Sequence, residues 1–229
     1  VTGKIAPQAL LSSGVSVVED PMELQLTPPE TRVLGCLIEK ELTTPDYYPL
    51  SLNALTLACN QRSSRDPVMD LGEGEVQAAV DALMRKHLVW ERGGAGGRVP
   101  RYAHRLTGTL TRPDAFSREE LAVLAVLMLR GPQTPGELRA RTGRMAELAA
   151  VEDVERVLAG LTSRADGPYV ADLGREPGRR ERRYAHLLEG PVAATVVPAA
   201  PDARPAPPSA PEGGDLSQRL AALEERVAA

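Results

Sequence analysis

The chain has 229 residues, a net charge of −4 and only 3 % aromatic residues. That length accommodates one or two ordinary domains. With Trp90 and Phe116 each the sole residue of its type, the core must come mainly from Leu, Val and Ala, which favours helices. The slight acidic surplus excludes a protein that coats nucleic acid by overall charge, and no run reaches the ~18 apolar residues of a membrane span.

Of 27 basic residues only Lys4, Lys40 and Lys86 are lysines. Arginine therefore carries nearly all the positive charge, and its planar fork suits phosphates and carboxylates. Cys36 and Cys59 stand in apolar stretches without metal-ligand spacing. They read as small buried hydrophobes of a reducing cytoplasm. Residues 1–22 lack the pattern of a signal peptide and read as a flexible N-terminus.

The first start signal is Thr27-Pro-Pro-Glu30, with a capping threonine, a proline suited to the first turn and a glutamate that completes a capping box. Val33, Leu34, Leu37, Ile38 and Leu42 then give a helical stripe, broken by Thr43–Pro49. Ser51 caps a second helix, with Leu52, Leu55, Leu57 and Ala58 expected on its inner face. A polar loop, Asn60–Pro67, separates it from a third helix over Gly74–Lys86. Leu88–Glu91 reads as a strand, Arg92–Arg98 as a glycine-rich tip, and Pro100–Leu106 as the return strand.

The same order then recurs. Ser117-Arg-Glu-Glu120 opens a helix, Thr134-Pro-Gly-Glu137 opens a second, and Val151–Ser163 makes a third. Tyr169–Leu173 and Arg182–Leu188 read as strands around a tip at Gly174–Arg180. Arg-Tyr-Ala-His stands on the return strand both times, at 101–104 and at 183–186. A unit recurring in the same order argues for duplication. The fold class expected is mainly α with small β-hairpins (α+β): two tandem winged-helix domains, residues 23–110 and 111–189. A Pro/Ala-rich linker, residues 190–214, follows. In residues 215–229, Leu216, Leu220, Leu223 and Val227 form a short coiled-coil seam. It could support a homodimer, dock on a partner or fray.

LTPPETRVLGCLIEKELTTPDYYPLSLNALTLACNQRSSRDPVM, RGPQTPGELRARTGRM and REPGRRERRYAHL resemble the YceH-like proteins of bacteria. The resemblance covers residues 24–189. It implies a tandem winged-helix fold, with DNA binding inferred from that fold, and it brings neither catalytic residues nor a cofactor.

The chain carries no phosphate-binding loop, and His87, His104 and His186 have no metal spacing. His104 and His186 read as half-buried strand residues beside a tyrosine. With no catalytic grouping and no cofactor motif, the expectation is a binding protein, not an enzyme. The candidate nucleic-acid contacts are the arginines of the wings and of the loop before the third helix. In the first wing and its return strand these are Arg92, Arg98, Arg101 and Arg105; in the second they are Arg179, Arg180, Arg182 and Arg183, diluted by Glu176 and Glu181. Arg62 and Arg65 lie in the loop Asn60–Asp66, whose Asn, Gln and Arg side chains are of the kind that read base edges.

In a helix-turn-helix the recognition helix enters the major groove, but here both third helices begin with carboxylates: Glu73 and Glu75, then Glu152, Asp153 and Glu155. Acid there suits the helix dipole and opposes phosphate. Double-stranded DNA contacted by the wings is therefore the leading expectation. A protein-interaction adaptor built from tandem winged helices is the alternative.

Overall fold

The computed structural model describes residues 25–93, 99–107, 115–175, 178 and 181–191. The expected linker, the 215–229 seam and nearly all of the N-terminal segment lie outside them. The described elements are six α-helices, five short strands and one 3-10 turn, Pro45–Tyr47. They run α1 (Pro28–Thr43), β1 (Leu50–Ser51), α2 (Leu52–Cys59), α3 (Glu73–Arg85), β2 (Val89–Arg92) and β3 (Arg101–His104). The second set is α4 (Arg118–Arg130), α5 (Pro135–Thr142), α6 (Val151–Ser163), β4 (Val170–Arg175) and β5 (Arg182–His186). The class is α+β, with three helices followed by a hairpin, twice.

The helix starts follow from local chemistry. Thr27 Oγ1 accepts from the Glu30 N–H at 3.4 Å, and the Glu30 carboxylate accepts from the Thr27 N–H at 2.7 Å. The same reciprocal box forms at Ser117/Glu120 and Thr134/Glu137. Glu30 also pairs with Lys86 at 2.8 Å, tying the start of α1 to the end of α3.

Duplication extends to hydrogen bonding. β3 lies between β1 and β2, with Leu50 opposite Tyr102 and Trp90 opposite Ala103. In the second half β4 pairs with β5, Ala171 opposite Ala185, and Gln133 bridges Tyr184 just before α5. The two Arg-Tyr-Ala-His strands thus hold equivalent places. Each also sends its arginine to a proline carbonyl: Arg101 to Pro49 and Arg183 to Pro132.

α1 packs against α2, α3 and α4. Every residue from Glu30 to Ile38 is buried, as is every residue from Leu121 to Leu129. A helix buried all round must be covered from several sides. The two halves accordingly share one continuous apolar cluster. Gly35 permits the approach, since a Cβ there would lie 3.0 Å from Leu129 Cδ2 and 3.2 Å from Met128 Cβ. Leu57, expected to face inward, is instead 66 % exposed. At eight residues α2 presents a narrow stripe, filled by Leu55, Ala58 and Cys59.

Candidate nucleic-acid interface

Strand alternation sorts the first hairpin into two faces. Leu50, Val89, Tyr102 and His104 are buried and form the inner one. The Tyr102 hydroxyl donates to Gln77 on α3, and the buried His104 ring faces the Glu41 carboxylate on α1. By register the opposite face carries Ser51, Trp90, Arg92, Arg101 and Ala103; Ala103 is buried there, and Glu91, although in register with Tyr102, is exposed between Trp90 and Arg92. Trp90 is 39 % exposed, and the Arg92 guanidinium lies over its ring at 4.3 Å. This is a cation–π contact with one side open to solvent.

Arg92 and Arg101 are directly opposed across the hairpin. Like charges so placed repel at Cβ separations of about 5 Å. The side chains part: Arg92 lies on the indole, and Arg101 donates to the Pro49 carbonyl at 2.9 Å. None of the five positions that share this register is a carboxylate. An anion seated between the two guanidinium groups would relieve the repulsion and leave the indole as an apolar platform.

The other arginines singled out from the sequence are placed as follows. Arg62 is exposed on its loop. Arg65 is a correction: its side chain is 0 % exposed and its fork grips Glu39 at 2.6 and 3.1 Å. It also donates to the Ala58 carbonyl, so it is a buried brace and not a phosphate contact. The loop is pinned throughout: Asn60 exchanges two hydrogen bonds with Leu71, Asp66 N–H donates to Leu129, and Arg130 donates to Ser64. Arg105 is exposed just after β3 and is one of the residues lining a cavity of about 270 Å³. The cavity walls are mostly apolar, and its Asp166 is held by Arg164 at 2.8 Å. Arg182 pairs with Asp172, and the half-buried Arg183 donates to Pro132. Arg98, Arg179 and Arg180 lie outside the described residues.

The duplicated frame separates structure from specialisation. Arg101 and Arg183 each donate to a proline carbonyl, and Tyr102 and Tyr184 hold equivalent positions on their strands. Trp90 faces Ala103, but its counterpart facing Ala185 is Ala171. The indole belongs to the first hairpin alone. Nothing in the sequence pattern separated Trp90 from an ordinary strand residue; the signal was that it is the sole Trp of the chain and sits two residues before an arginine.

The third helices are acidic outside. Glu73, Glu75 and Asp81 are exposed on α3, and Glu152 and Glu155 on α6.

Residues 26–179 match the family model described as Protein of unknown function, DUF480. The chain belongs to this family. The YceH-like resemblance points to the same group. A relative from Aeromonas hydrophila, described as a UPF0502 protein, is 52 % identical over 207 residues, covering 90 % of this chain and 91 % of its own. A UPF0502 protein from Serratia proteamaculans is 47 % identical over 207 residues, 90 % of this chain and 92 % of the relative. One from Saccharophagus degradans is 49 % identical over 208 residues, 89 % and 93 % of the two chains. Among the described residues no helix is long and apolar enough to cross a membrane.

Proposed function

We propose that this DUF480 chain is a non-enzymatic, tandem winged-helix protein that binds double-stranded DNA through the outer face of its first hairpin. The observation that carries this reading is the exposed Trp90–Arg92 stack, with Arg101 directly across from Arg92. Arginine reaches phosphate oxygens, and an aromatic beside it lies along sugar or base edges. Contact is led by this wing, because the exposed carboxylates at the start of α3 and α6 repel a phosphate backbone.

Trp90 supplies its own reporter, being the only indole in the chain. Titrating duplex DNA at low salt should shift or quench its fluorescence saturably, and added salt should reverse the change. An indole signal indifferent to duplex would overturn this reading.

A second reading, a protein-interaction adaptor, draws support from exposed Tyr47, Leu57 and Val68, at 76, 66 and 56 %. Large exposed apolar side chains are a feature of protein contact surfaces when they gather into a patch. Leu57→Glu separates the two: it should leave duplex binding intact and abolish retention of a protein partner.

A further inference from the structure

The cavity of about 270 Å³ is lined from both halves of the shared core. Its lining includes Leu34 of α1 and Leu124 of α4, each 1 % exposed, so part of it lies deep in the core. Leu88 and Leu106 line it from either end of the first hairpin, where the Arg105 N–H donates to the Leu88 carbonyl at 2.9 Å. The second half contributes Phe116 and Tyr169, whose rings meet edge to face with centroids 4.8 Å apart. Phe116 is the only phenylalanine of a chain that is 3 % aromatic, so this ring pair is a local concentration. Arg105 and Asp166, both exposed, also line the cavity and connect it to solvent.

Among the described lining residues, Arg105 and Asp166 are the charged ones. Asp166 is already held. Arg164 donates to its two oxygens at 2.8 and 3.3 Å, and the Tyr169 hydroxyl donates at 3.1 Å. Arg164 also meets Glu120 at 3.3 Å and lies over the Phe116 ring at 4.4 Å. A ligand cation would have to compete with Arg164 for Asp166. A ligand carboxylate meets Arg105, whose five N–H donors can take its oxygens beside any other partner.

Size narrows the ligand. A cavity of about 150 Å³ lined by Leu, Ile and Phe takes up benzene, so this one suits roughly a dozen non-hydrogen atoms. An apolar body that fills it removes the leucine and ring surfaces from water. A ring in the ligand extends the edge-to-face packing of Phe116 and Tyr169. We propose that this cavity is a binding site for a small aromatic carboxylic acid, with the ring among the leucines and the Phe116–Tyr169 pair and the carboxylate on Arg105.

The probes are 4-phenylbutyrate and 4-phenylbutylamine, which share an apolar body and carry opposite charge. Titration calorimetry on the full chain should show saturable one-to-one binding of the acid, with the amine at least about tenfold weaker. Arg105→Ala should weaken the acid about tenfold and spare the amine. Ala115→Phe, which enlarges another lining residue, should abolish binding of both while the chain keeps its thermal transition. Methyl NMR on the native chain locates the site without a variant: shifts on adding the acid should concentrate at Leu34, Leu106, Leu124 and Leu188. No binding of the acid would overturn the proposal. So would an amine that binds as well as the acid, or shifts centred on exposed Leu57 instead. Duplex plays no part in these readouts, so the outcome is independent of the proposed function.

Discussion

Arg62 and Arg65 stand in one loop and are treated oppositely by the fold. Arg65→Ala leaves Glu39 without its fork and the Ala58 carbonyl without its donor. Breaking a buried pair from one side typically costs about 3–5 kcal/mol, so chemical denaturation should show a loss of that size. Arg62→Ala, on an exposed side chain, should stay within about 0.5 kcal/mol. In the sequence the two arginines look alike, because what separates them is Glu39, supplied by a different helix. His186 offers a prediction in pH. Burial lowers its affinity for protons from an ordinary value of 6.5, against the smaller opposing pull of Glu189. Below that value the unfolded chain binds the extra proton and the folded chain resists it, so stability falls as pH falls. Thermal melts at about pH 7 and about pH 5 should differ, and His186→Asn should narrow the gap. An unchanged gap would remove His186 as its source.

At the scale of elements, the sequence was most legible where the chemistry is local. The three Ser/Thr–Glu boxes open α1, α4 and α5, and α6 spans the predicted Val151–Ser163. The duplicated Arg-Tyr-Ala-His strand was readable for the same reason: its alternation and its glycine-rich tip are short-range signals. β1 was not readable, since two residues carry no period and exist as a strand only through pairing with β3. Leu57 misled because a short apolar helix offers more apolar side chains than one face can bury. The packing of α1 on α4 also depended on a distant partner, although the unbroken apolar run Leu121–Leu129 hinted at burial on every side. Gly35 is the contact point. Gly35→Ala gains about 1 kcal/mol of helix propensity and loses a comparable amount to crowding. Gly35→Val adds bulk without that gain and should lower stability by about 1–3 kcal/mol in urea unfolding. A neutral Val variant would mean that Leu129 and Met128 yield freely.

For the whole molecule, the shared core predicts that residues 25–191 unfold as one unit, not as two beads. Both halves should lose signal in a single thermal transition. The end of that unit is set by Leu188, 6 % exposed, whose carbonyl accepts from Leu26 N–H at 2.7 Å. A chain ending after Pro191 should keep the full-length melting temperature. One ending after His186 loses a buried leucine and should forfeit about 2–5 kcal/mol. The outer surface, in contrast, resolved unevenly from sequence: wing arginines stood out, but which were free of structural duty emerged only from comparing the two halves. Arg92 is the one that stacks on Trp90 and has no counterpart role in the second hairpin. The most direct measurement is the salt dependence of binding to random duplex, made with the native chain and with Arg92→Ala. Affinity should fall steeply with salt, and the variant should bind more weakly with a log–log slope shallower by about 0.9. A native chain that fails to bind at low salt, or a variant with unchanged affinity and slope, would contradict the assignment of this wing to DNA.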